Sequence, residues 1–318
     1  MNHNIEDAIL TNYQVRKSNK EKTEFIQYLK NRLETKGYDP EIDIKIEEKG
    51  KGLLKSRNIV VGDPATAKIL LGAHYDTCAV LPLPNFMSPT NPGLFITCQI
   101  WVSVLLIIVA LIPAFVYGFL TRDPNGTYWI FELCMIAMVL HMLFGYKNKH
   151  TANDNSSGTI TITRILEGLS LEDRSKVCVI YFDNEEKGLL GSGFFYSTHK
   201  EEVRNKLMIN FDCVGDGREV LFLAKEKSKL NSDYPQLLQK LEEIAKQYDV
   251  EFTSGKVKPL MFPSDQKHFV KGVGVCALRK TIFGRCVGRI HTPWDKRCRA
   301  ENINFLAEGV IEYIKKME

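Results

Sequence analysis

Residues 68–76 read KILLGAHYD, an apolar run of strand length that ends in a histidine and an aspartate. Similar apolar runs recur at KVCVIYFD (176–183), LMINFDCVG (207–215) and VGVCALRK (273–280). Short continuous apolar runs are typical of strands that are buried on both faces of a sheet. We therefore predict that these segments are strands of one sheet covered on both sides.

The rest of the chain adds further strands and the helices that cover them. EIDIKIEEK (41–49) alternates apolar and charged residues, which predicts a half-buried strand, and RNIVVG (57–62) predicts another. KTEFIQYLKNRLETKG (22–37) has helical apolar spacing and a terminal glycine. The alternation of strands and helices predicts an α/β fold, with a mixed, mostly parallel β-sheet between helical layers. Other helices are expected at about 158–169, 187–199, 234–248 and 301–317.

The overall composition is that of an ordinary globular protein. The 318 residues carry a formal net charge of only +4, without a compact stripe of basic and aromatic residues, which argues against a nucleic-acid partner. The eight cysteines form no CxxC pair, and this fits reduced thiols better than a disulfide framework.

Polar and charged side chains follow the predicted strands in five segments. In sheets of this type, ligands bind outside the carboxyl ends of the strands. Two histidines and several carboxylates without a thiolate suit zinc or a related divalent ion. Two histidines and three carboxylates are enough for two ions when one carboxylate bridges them. The five segments are GAHYDT (72–77), TANDNSSG (151–158), DNEEKGLLGS (183–192), NFDCVG (210–215) and IHTPWD (290–295).

These five segments resemble the motifs of the M28 family of co-catalytic zinc metallopeptidases, which includes leucyl-type aminopeptidases. The motifs occur in the order HxD, AxDxxSG, EExGLxGS, NxDxxG and HTxxD. The resemblance covers nearly the whole chain outside residues 81–150. It implies a zinc-dependent exopeptidase-like fold and the hydrolysis of peptide bonds.

The resemblance also implies a set of metal ligands. Asp154 would bridge two zinc or other divalent ions. His74 and Asp212 would complete one of the two sites. Glu186 and His291 would complete the other.

Three further acidic residues would support the reaction. Glu185 would be the general base for a metal-bound hydroxide. Asp76 would orient His74 from behind, which is the usual role of a carboxylate next to a metal-bound histidine. Asp295 is expected to support His291 in a similar way.

The segment FPSDQKHF (262–269) departs from the family pattern SDHxxF. Gln266 replaces the histidine, whereas Ser264, Asp265 and Phe269 match. The resemblance implies that this segment lines the substrate pocket, but the residues alone equally predict a surface loop with an anchoring phenylalanine. The substrate specificity therefore stays open. Some relatives are glutaminyl cyclases that use one metal, so a glutaminyl-cyclase-like aminoacyl transferase or an amidase is an alternative.

A long insertion separates the first two motifs, because His74 and Asp154 are 80 positions apart. We take residues 81–150 as the insertion. Residues 1–80 and 151–318 would then form one metallopeptidase domain together.

The insertion has the composition of a membrane segment. Residues 77–121 contain no charged side chain. Apolar helices are predicted at about 96–120 and 128–146, each long enough to cross a bilayer, with a polar loop at 121–127 between them. A transmembrane hairpin of this kind would return both of its ends to the same side. The alternative is a hydrophobic lid or a dimerisation arm.

The sequence thus predicts a membrane-anchored dimetal aminopeptidase that acts on peptides with a free N-terminus. The lipid bilayer would be the partner of residues 96–146, and the oligomeric state is left open. Lys147 and Lys149 flank the hairpin while only Arg122 lies in its loop, which predicts a cytoplasmic catalytic domain. A catalytically silent membrane binding module is the alternative outside enzymology, and the complete ligand set argues against it.

Overall fold

A mixed sheet of nine strands forms the centre of the computed structural model, which describes residues 4–81, 86–256, 261–282 and 284–317. Within these ranges the strands are β1 (Ile44–Lys49), β2 (Ser56–Val61), β3 (Ile69–His74), β4 (Val177–Phe182), β5 (Leu207–Phe211), β6 (Glu219–Ala224), β7 (Glu251–Lys256), β8 (Lys271–Thr281) and β9 (Gly284–Cys286).

Four strands at the centre run parallel in the order β4–β3–β5–β8, so that β3 has a parallel partner on each side. Beyond β4, β2 and β1 continue the sheet with antiparallel pairing. On the other side, β6 is antiparallel to β8 and parallel to the edge strand β7. Strand β9 pairs with the last residues of β8. The predicted mixed, mostly parallel sheet is confirmed.

Helices cover both faces of this sheet, as predicted. Helices α2, α5, α9 and α10 pack on the larger core, and α7 covers the smaller core on the opposite face. The described helices are α1 (Ile5–Asp7), α2 (Asn19–Glu34), α3 (Pro92–Thr121), α4 (Pro124–Phe144), α5 (Gly158–Gly168), α6 (Leu171–Arg174), α7 (Leu190–Val203), α8 (Glu226–Lys229), α9 (Asp233–Ala245) and α10 (Ala300–Lys315). Short 3-10 turns lie at Gly52–Leu54, Glu185–Lys187 and Asp265–His268, and π-helical turns at Ala8–Asn12 and Ala152–Ser157.

Strand β3 is buried on both faces, which explains its uninterrupted apolar sequence. Ile69 and Leu71 contribute to the larger core, and Leu70 contributes to the smaller one. At Gly72, an added Cβ would lie 2.3 Å from the Met208 side chain. The absence of a side chain at this glycine therefore lets the neighbouring strand pack closely.

Two features of the sheet differ from the sequence-based prediction. Residues 41–43 form a turn instead of the start of β1, because the Asp39 carboxylate accepts hydrogen bonds from the backbone N–H groups of Glu41 and Ile42. Strands β6 and β7 are not predicted by the sequence patterns. The sequence of β7 is EFTSGK, and its low apolar content matches its position at the edge of the sheet.

Helices α3 and α4 form the predicted hairpin and pack against each other. Small residues let the two backbones approach: Ala110 and Ala114 are buried, and an added Cβ on Gly118 would lie 2.5 Å from Thr127 Oγ1. The predicted polar loop at 121–127 is wrong, because only two residues separate the helices. Asp123 caps α4, and its carboxylate accepts a 3.1 Å hydrogen bond from the backbone of residue 125.

The outer surface of this hairpin is apolar and exposed. By length and composition, both helices could cross a membrane. In the most apolar 18-residue stretch of α3, only 11% is buried within the protein. In the corresponding stretch of α4, none is buried. Such a large exposed apolar surface is unusual for a protein surrounded by water.

The ends of the hairpin are tied to the domain that carries the five motifs. The backbone N–H of Val80 donates a 2.8 Å hydrogen bond to Tyr146 O, which joins the two ends. The N–H of Leu81 donates a 2.7 Å hydrogen bond to His291 O. The base of the hairpin is therefore in contact with one of the motif segments.

Helix α2 supplies a buried cation to the strand-end region. Lys22 is 2% exposed, and its ammonium group pairs with the Asp183 carboxylate and donates a 2.8 Å hydrogen bond to Asn184 Oδ1. Asp183 also accepts a 2.9 Å hydrogen bond from the backbone of Arg57. Because Asp183 and Asn184 directly precede Glu185, this ion pair anchors the turn that carries the predicted general base.

We predict that Lys22→Met lowers the free energy of unfolding by about 3–5 kcal/mol, because it leaves Asp183 buried without a counter-charge. Denaturant unfolding of the purified protein measures the change. Lys20→Met is the matched control, since Lys20 is exposed and lies 3.9 Å from Glu24. It should change the same free energy by no more than about 0.5 kcal/mol. Equal losses in the two variants would contradict a stabilising role for the buried pair.

Candidate metal centre

The five motif segments meet at the carboxyl edge of the parallel strands. His74 is the last residue of β3, and Asp212 directly follows β5. Glu186 lies in the 3-10 turn after β4. Asp154 lies in the turn before α5, and His291 lies in the loop before α10. The sheet therefore brings together residues that are far apart in the sequence, at the edge where such sheets bind ligands.

Asp154 stands between the two imidazoles and faces each with a different oxygen. Its Oδ1 lies 3.3 Å from His74 Nε2, and its Oδ2 lies 3.0 Å from His291 Nε2. Asp212 Oδ1 is 3.6 Å from the same nitrogen of His74. Glu186 Oε2 is 3.2 Å from His291 Nε2. Two clusters of ligand atoms thus share one carboxylate, which is the arrangement that a bridging role for Asp154 requires.

The centre carries more negative charge than its own donors compensate. Glu186 Oε1 and Asp212 Oδ1 are buried and accept no hydrogen bond from any residue that the structure describes. Burial raises the pKa of Glu186 to about 8. Burial alone would lower the pKa of His291, but the carboxylates of Glu186 and Asp154 outweigh it and raise this pKa to about 9. Imidazole nitrogens and uncompensated carboxylate oxygens in this arrangement fit divalent zinc.

The turn that contains Asp154 is held by the amide side chains on either side of it. Asn153 Oδ1 accepts hydrogen bonds of 2.7 and 2.9 Å from the backbones of Gly215 and Asp216. Asn155 Nδ2 donates a 2.8 Å hydrogen bond to Phe211 O. These contacts join the Asp154 turn to the loop after β5, and they fix the position of Asp154 relative to Asp212.

Asp76 contacts both His74 and the glutamate turn. Its carboxylate oxygens accept hydrogen bonds of 3.0 and 3.3 Å from the backbone N–H groups of Glu185 and Glu186. One of these oxygens lies 3.6 Å from His74 Nδ1, while the Asp76 backbone carbonyl is closer, at 3.1 Å. Asp76 therefore contacts His74 through its backbone carbonyl, while its carboxylate positions the turn of the predicted general base.

Asp295 supports Asp154 and not His291. Its two carboxylate oxygens accept hydrogen bonds from the backbone N–H groups of Asn153, at 2.8 Å, and Asp154, at 3.0 Å. The expected contact with His291 is not found among the described residues, because both carboxylate oxygens face the backbone of the Asp154 turn. Asp295 is thus a positioning residue for the bridging carboxylate.

The segment 262–269 contributes mainly anchoring contacts. Asn210 Nδ2 donates hydrogen bonds to Ser264 Oγ, at 2.8 Å, and to Gln266 Oε1, at 3.0 Å. Phe269 is buried, and its ring centroid lies 6.1 Å from that of Phe182 in the smaller core. This is the role of an anchoring phenylalanine.

Asp265 differs from its neighbours because its buried carboxylate has no hydrogen bond of ordinary geometry to the residues that the structure describes. Burial raises its pKa to about 7. Asp265 is therefore a buried carboxylate without a compensating donor of ordinary geometry among the described residues.

Arg16, which the sequence motifs do not identify, is a fully buried residue that joins two of them. Its guanidinium donates to Tyr75 O and, at 3.2 Å, to Ser156 Oγ, while its backbone N–H donates to Thr77 Oγ1 at 3.0 Å. It therefore connects the HxD segment to the Asp154 turn. No motif or periodicity in the polar N-terminal segment signals this residue.

Two buried thiols also border the centre, although the predicted ligand set contains none. The sulfur of Cys78 lies within 4.8 Å of ligand atoms of Glu186 and His291, and that of Cys213 is as close to Asp154 and Asp212. Burial raises the pKa of both thiols well above its ordinary value.

The mixed sheet with clustered ligands at its carboxyl edge defines a class of fold, the zinc-dependent exopeptidase-like α/β fold. A family model described as peptidase family M28 matches residues 139–307, which is more than half of the chain. The protein therefore belongs to family M28, and the predicted resemblance is confirmed. The matched region contains every ligand position except His74, which lies before the hairpin. No curated protein matches the sequence.

Solved structures with similar folds include both peptidases and cyclases. The LapA aminopeptidase of Legionella pneumophila has 15% sequence identity and a TM-score of 0.54, with 98% of this chain and 70% of that chain covered. A Zn-dependent exopeptidase from Parabacteroides distasonis has 16% identity and a TM-score of 0.55, covering 99% and 96%. The glutaminyl cyclase of Tannerella forsythia has 16% identity and a TM-score of 0.56, covering 99% and 97%. These likenesses establish the fold.

We predict that Asp295→Asn lowers the affinity of the protein for zinc by about 10–100-fold, because an amide cannot accept both backbone N–H groups that position Asp154. Competition with a chromophoric chelator measures this affinity. Lys296→Gln, at the exposed neighbouring position, is the control and should leave the affinity unchanged. Unaltered zinc affinity in Asp295→Asn would show that the Asp154 turn does not depend on this carboxylate.

Proposed function

We propose that this protein is a membrane-anchored dimetal peptidase, and specifically an aminopeptidase that acts on peptides with a free N-terminus. The observation that carries the proposal is the shared carboxylate of Asp154, which faces His74 with one oxygen and His291 with the other. Membership of family M28 supports a hydrolase.

The proposed ligand sets follow from this geometry. One ion would be held by His74, Asp154 and Asp212, and the other by Asp154, Glu186 and His291. When bound, zinc ions polarise a substrate carbonyl and lower the pKa of a water molecule. Asp76 and Asp295 position these ligands through the backbone hydrogen bonds described above.

Glu185 is the proposed general base. It lies next to Glu186 in the same 3-10 turn. Its backbone N–H donates a 3.0 Å hydrogen bond to the Asp76 carboxylate, which holds the turn in place. Glu185 accepts a proton from the attacking water and delivers it to the leaving amine. This division of roles between adjacent glutamates requires that their side chains point in different directions, which the tight turn allows.

The free N-terminus of the substrate is proposed because an aminopeptidase is among the proteins with this fold. A glutaminyl-cyclase-like reaction is the second candidate, because cyclases are among the proteins with this fold.

Membrane anchoring is proposed from the exposed apolar surface of the α3–α4 hairpin. Helix α4 has 21 residues, which corresponds to about 32 Å and matches the thickness of about 30 Å of a bilayer core. Lys147 and Lys149 follow the hairpin, whereas Arg122 alone lies in its turn, and this supports a cytoplasmic catalytic domain.

A substrate panel tests the proposed reaction. The purified, zinc-loaded protein is assayed with aminoacyl-nitroanilides, with N-terminally acetylated peptides and with glutaminyl peptides. Hydrolysis of the free but not the acetylated substrates supports an aminopeptidase. Cyclisation of glutaminyl peptides without hydrolysis supports the second candidate. Zinc binding without either reaction would support the catalytically silent module.

We predict that Glu185→Gln retains both metal ions but lowers kcat by about 100-fold or more, because the variant loses the proton acceptor and keeps the ligands. Metal analysis and steady-state kinetics on the same sample measure the two effects. Glu201→Gln, at an exposed position on α7, is the control and should retain full activity. Normal turnover by Glu185→Gln would show that another group is the base.

We predict that the full-length protein sediments with membranes, resists extraction by alkaline carbonate and is released by detergent, because both hairpin helices are apolar. A variant in which residues 92–144 are replaced by a short flexible linker should become soluble. Release of the full-length protein by carbonate alone would contradict a membrane-spanning hairpin.

A further inference from the structure

A basic pocket lies at the base of the hairpin, where the last residues of α4 meet the catalytic domain. Its volume is about 450 Å³, and its lining includes Lys17, Lys147 and Lys187 together with Leu53 and Phe144. The pocket therefore has walls from the hairpin, from the N-terminal segment and from the turn that carries the candidate general base.

Two lysines of this pocket have no carboxylate partner. Lys17 Nζ donates a 3.1 Å hydrogen bond to Leu143 O, and Lys187 Nζ donates a 2.9 Å hydrogen bond to Leu53 O. Neither ammonium group forms an ion pair with a residue that the structure describes, whereas Lys147 pairs with Glu21. The lining of the pocket thus carries three lysines against one glutamate, Glu21, a net charge of two positive units.

Both unpaired ammonium groups are partly removed from water. The side chains of Lys17 and Lys187 are both half-buried. Lys187 Nζ also lies 5.8 Å from the centroid of the Phe144 ring, so that its charge is next to an apolar group. An anion bound here would gain more from these cations than from lysines on the open surface.

The depth of the pocket identifies the source of the anion. If α4 crosses the bilayer core, as proposed above, its last residue Phe144 lies at the level of the lipid headgroups. Leu53, on the rim of the pocket, is 70% exposed and would meet the boundary of the acyl chains. A lipid headgroup phosphate satisfies the charge of the pocket while its acyl chains remain in the bilayer.

We infer that this pocket binds the headgroup of an anionic membrane lipid. The inference rests on the proposed membrane anchoring. Lys187 is adjacent to Glu186 in the sequence, so the bound headgroup holds the metal-bearing turn at a defined height above the bilayer. The entrance to the centre would consequently stay close to the membrane surface.

The test uses the full-length protein, delipidated in detergent and reconstituted into two kinds of nanodisc. One contains phosphatidylcholine alone, and the other contains phosphatidylcholine with a minority of phosphatidylglycerol. The wild-type protein should unfold at a Tm several degrees higher in the anionic discs, because a ligand that binds only the folded state raises Tm. Inorganic phosphate added to the neutral discs should not reproduce this shift.

Matched double variants locate the effect. Lys17→Gln with Lys187→Gln should abolish the Tm difference between the two discs. Lys51→Gln with Lys149→Gln removes the same charge from exposed positions outside the pocket and should retain the difference.

Each other outcome overturns the inference. Equal loss of the Tm difference in both double variants would indicate diffuse attraction to the membrane. A rise in Tm on adding inorganic phosphate to the neutral discs would indicate a site for a soluble anion. Entry of the wild-type protein into both discs with no Tm difference would overturn the lipid site alone. Failure to enter either disc would overturn the membrane anchoring together with the lipid site.

Discussion

The sharing of the Asp154 carboxylate between two imidazoles is the constraint on which the rest of the site depends. A buried carboxylate is costly unless other groups compensate its charge. Here its backbone N–H is held by Asp295, and the flanking residues Asn153 and Asn155 are held by the loop after β5. These contacts position this one side chain and leave its two oxygens directed at the two histidines.

The same carboxyl edge of the sheet holds both the candidate metal ligands and the base of the hairpin. The segment after β3 runs from His74 to Leu81, and the N–H of Leu81 donates to His291 O. A hairpin inserted between the HxD and AxDxxSG motifs must begin and end at this edge, because both motifs lie there. The position of the insertion in the sequence thus couples the orientation of the centre to that of the hairpin. It also explains why a lysine-lined pocket can contact both α4 and the turn of Glu186.

Much of the fold could be predicted from local patterns, and the errors have physical reasons. Strands buried on both faces, such as β3 and β4, have continuous apolar sequences and are recognised easily. The edge strand β7 has the sequence EFTSGK, whose low apolar content gives no strand pattern that could be recognised. The predicted loop at 121–127 fails because Asp123 and Pro124 start a helix within a polar stretch. Contacts such as those of Arg16 and Lys22 join residues more than 50 positions apart, and no local pattern reports them.

By itself, the sequence determined which residue types stand at the strand ends and that one long uncharged segment separates two of the motifs. These properties are local, because they depend on side-chain polarity and periodicity. Only the tertiary structure decided that Asp154 faces both histidines, that Asp295 supports Asp154 instead of His291, and that two unpaired lysines meet α4. These relations depend on the parallel order of β4, β3, β5 and β8, which brings distant loops to one edge.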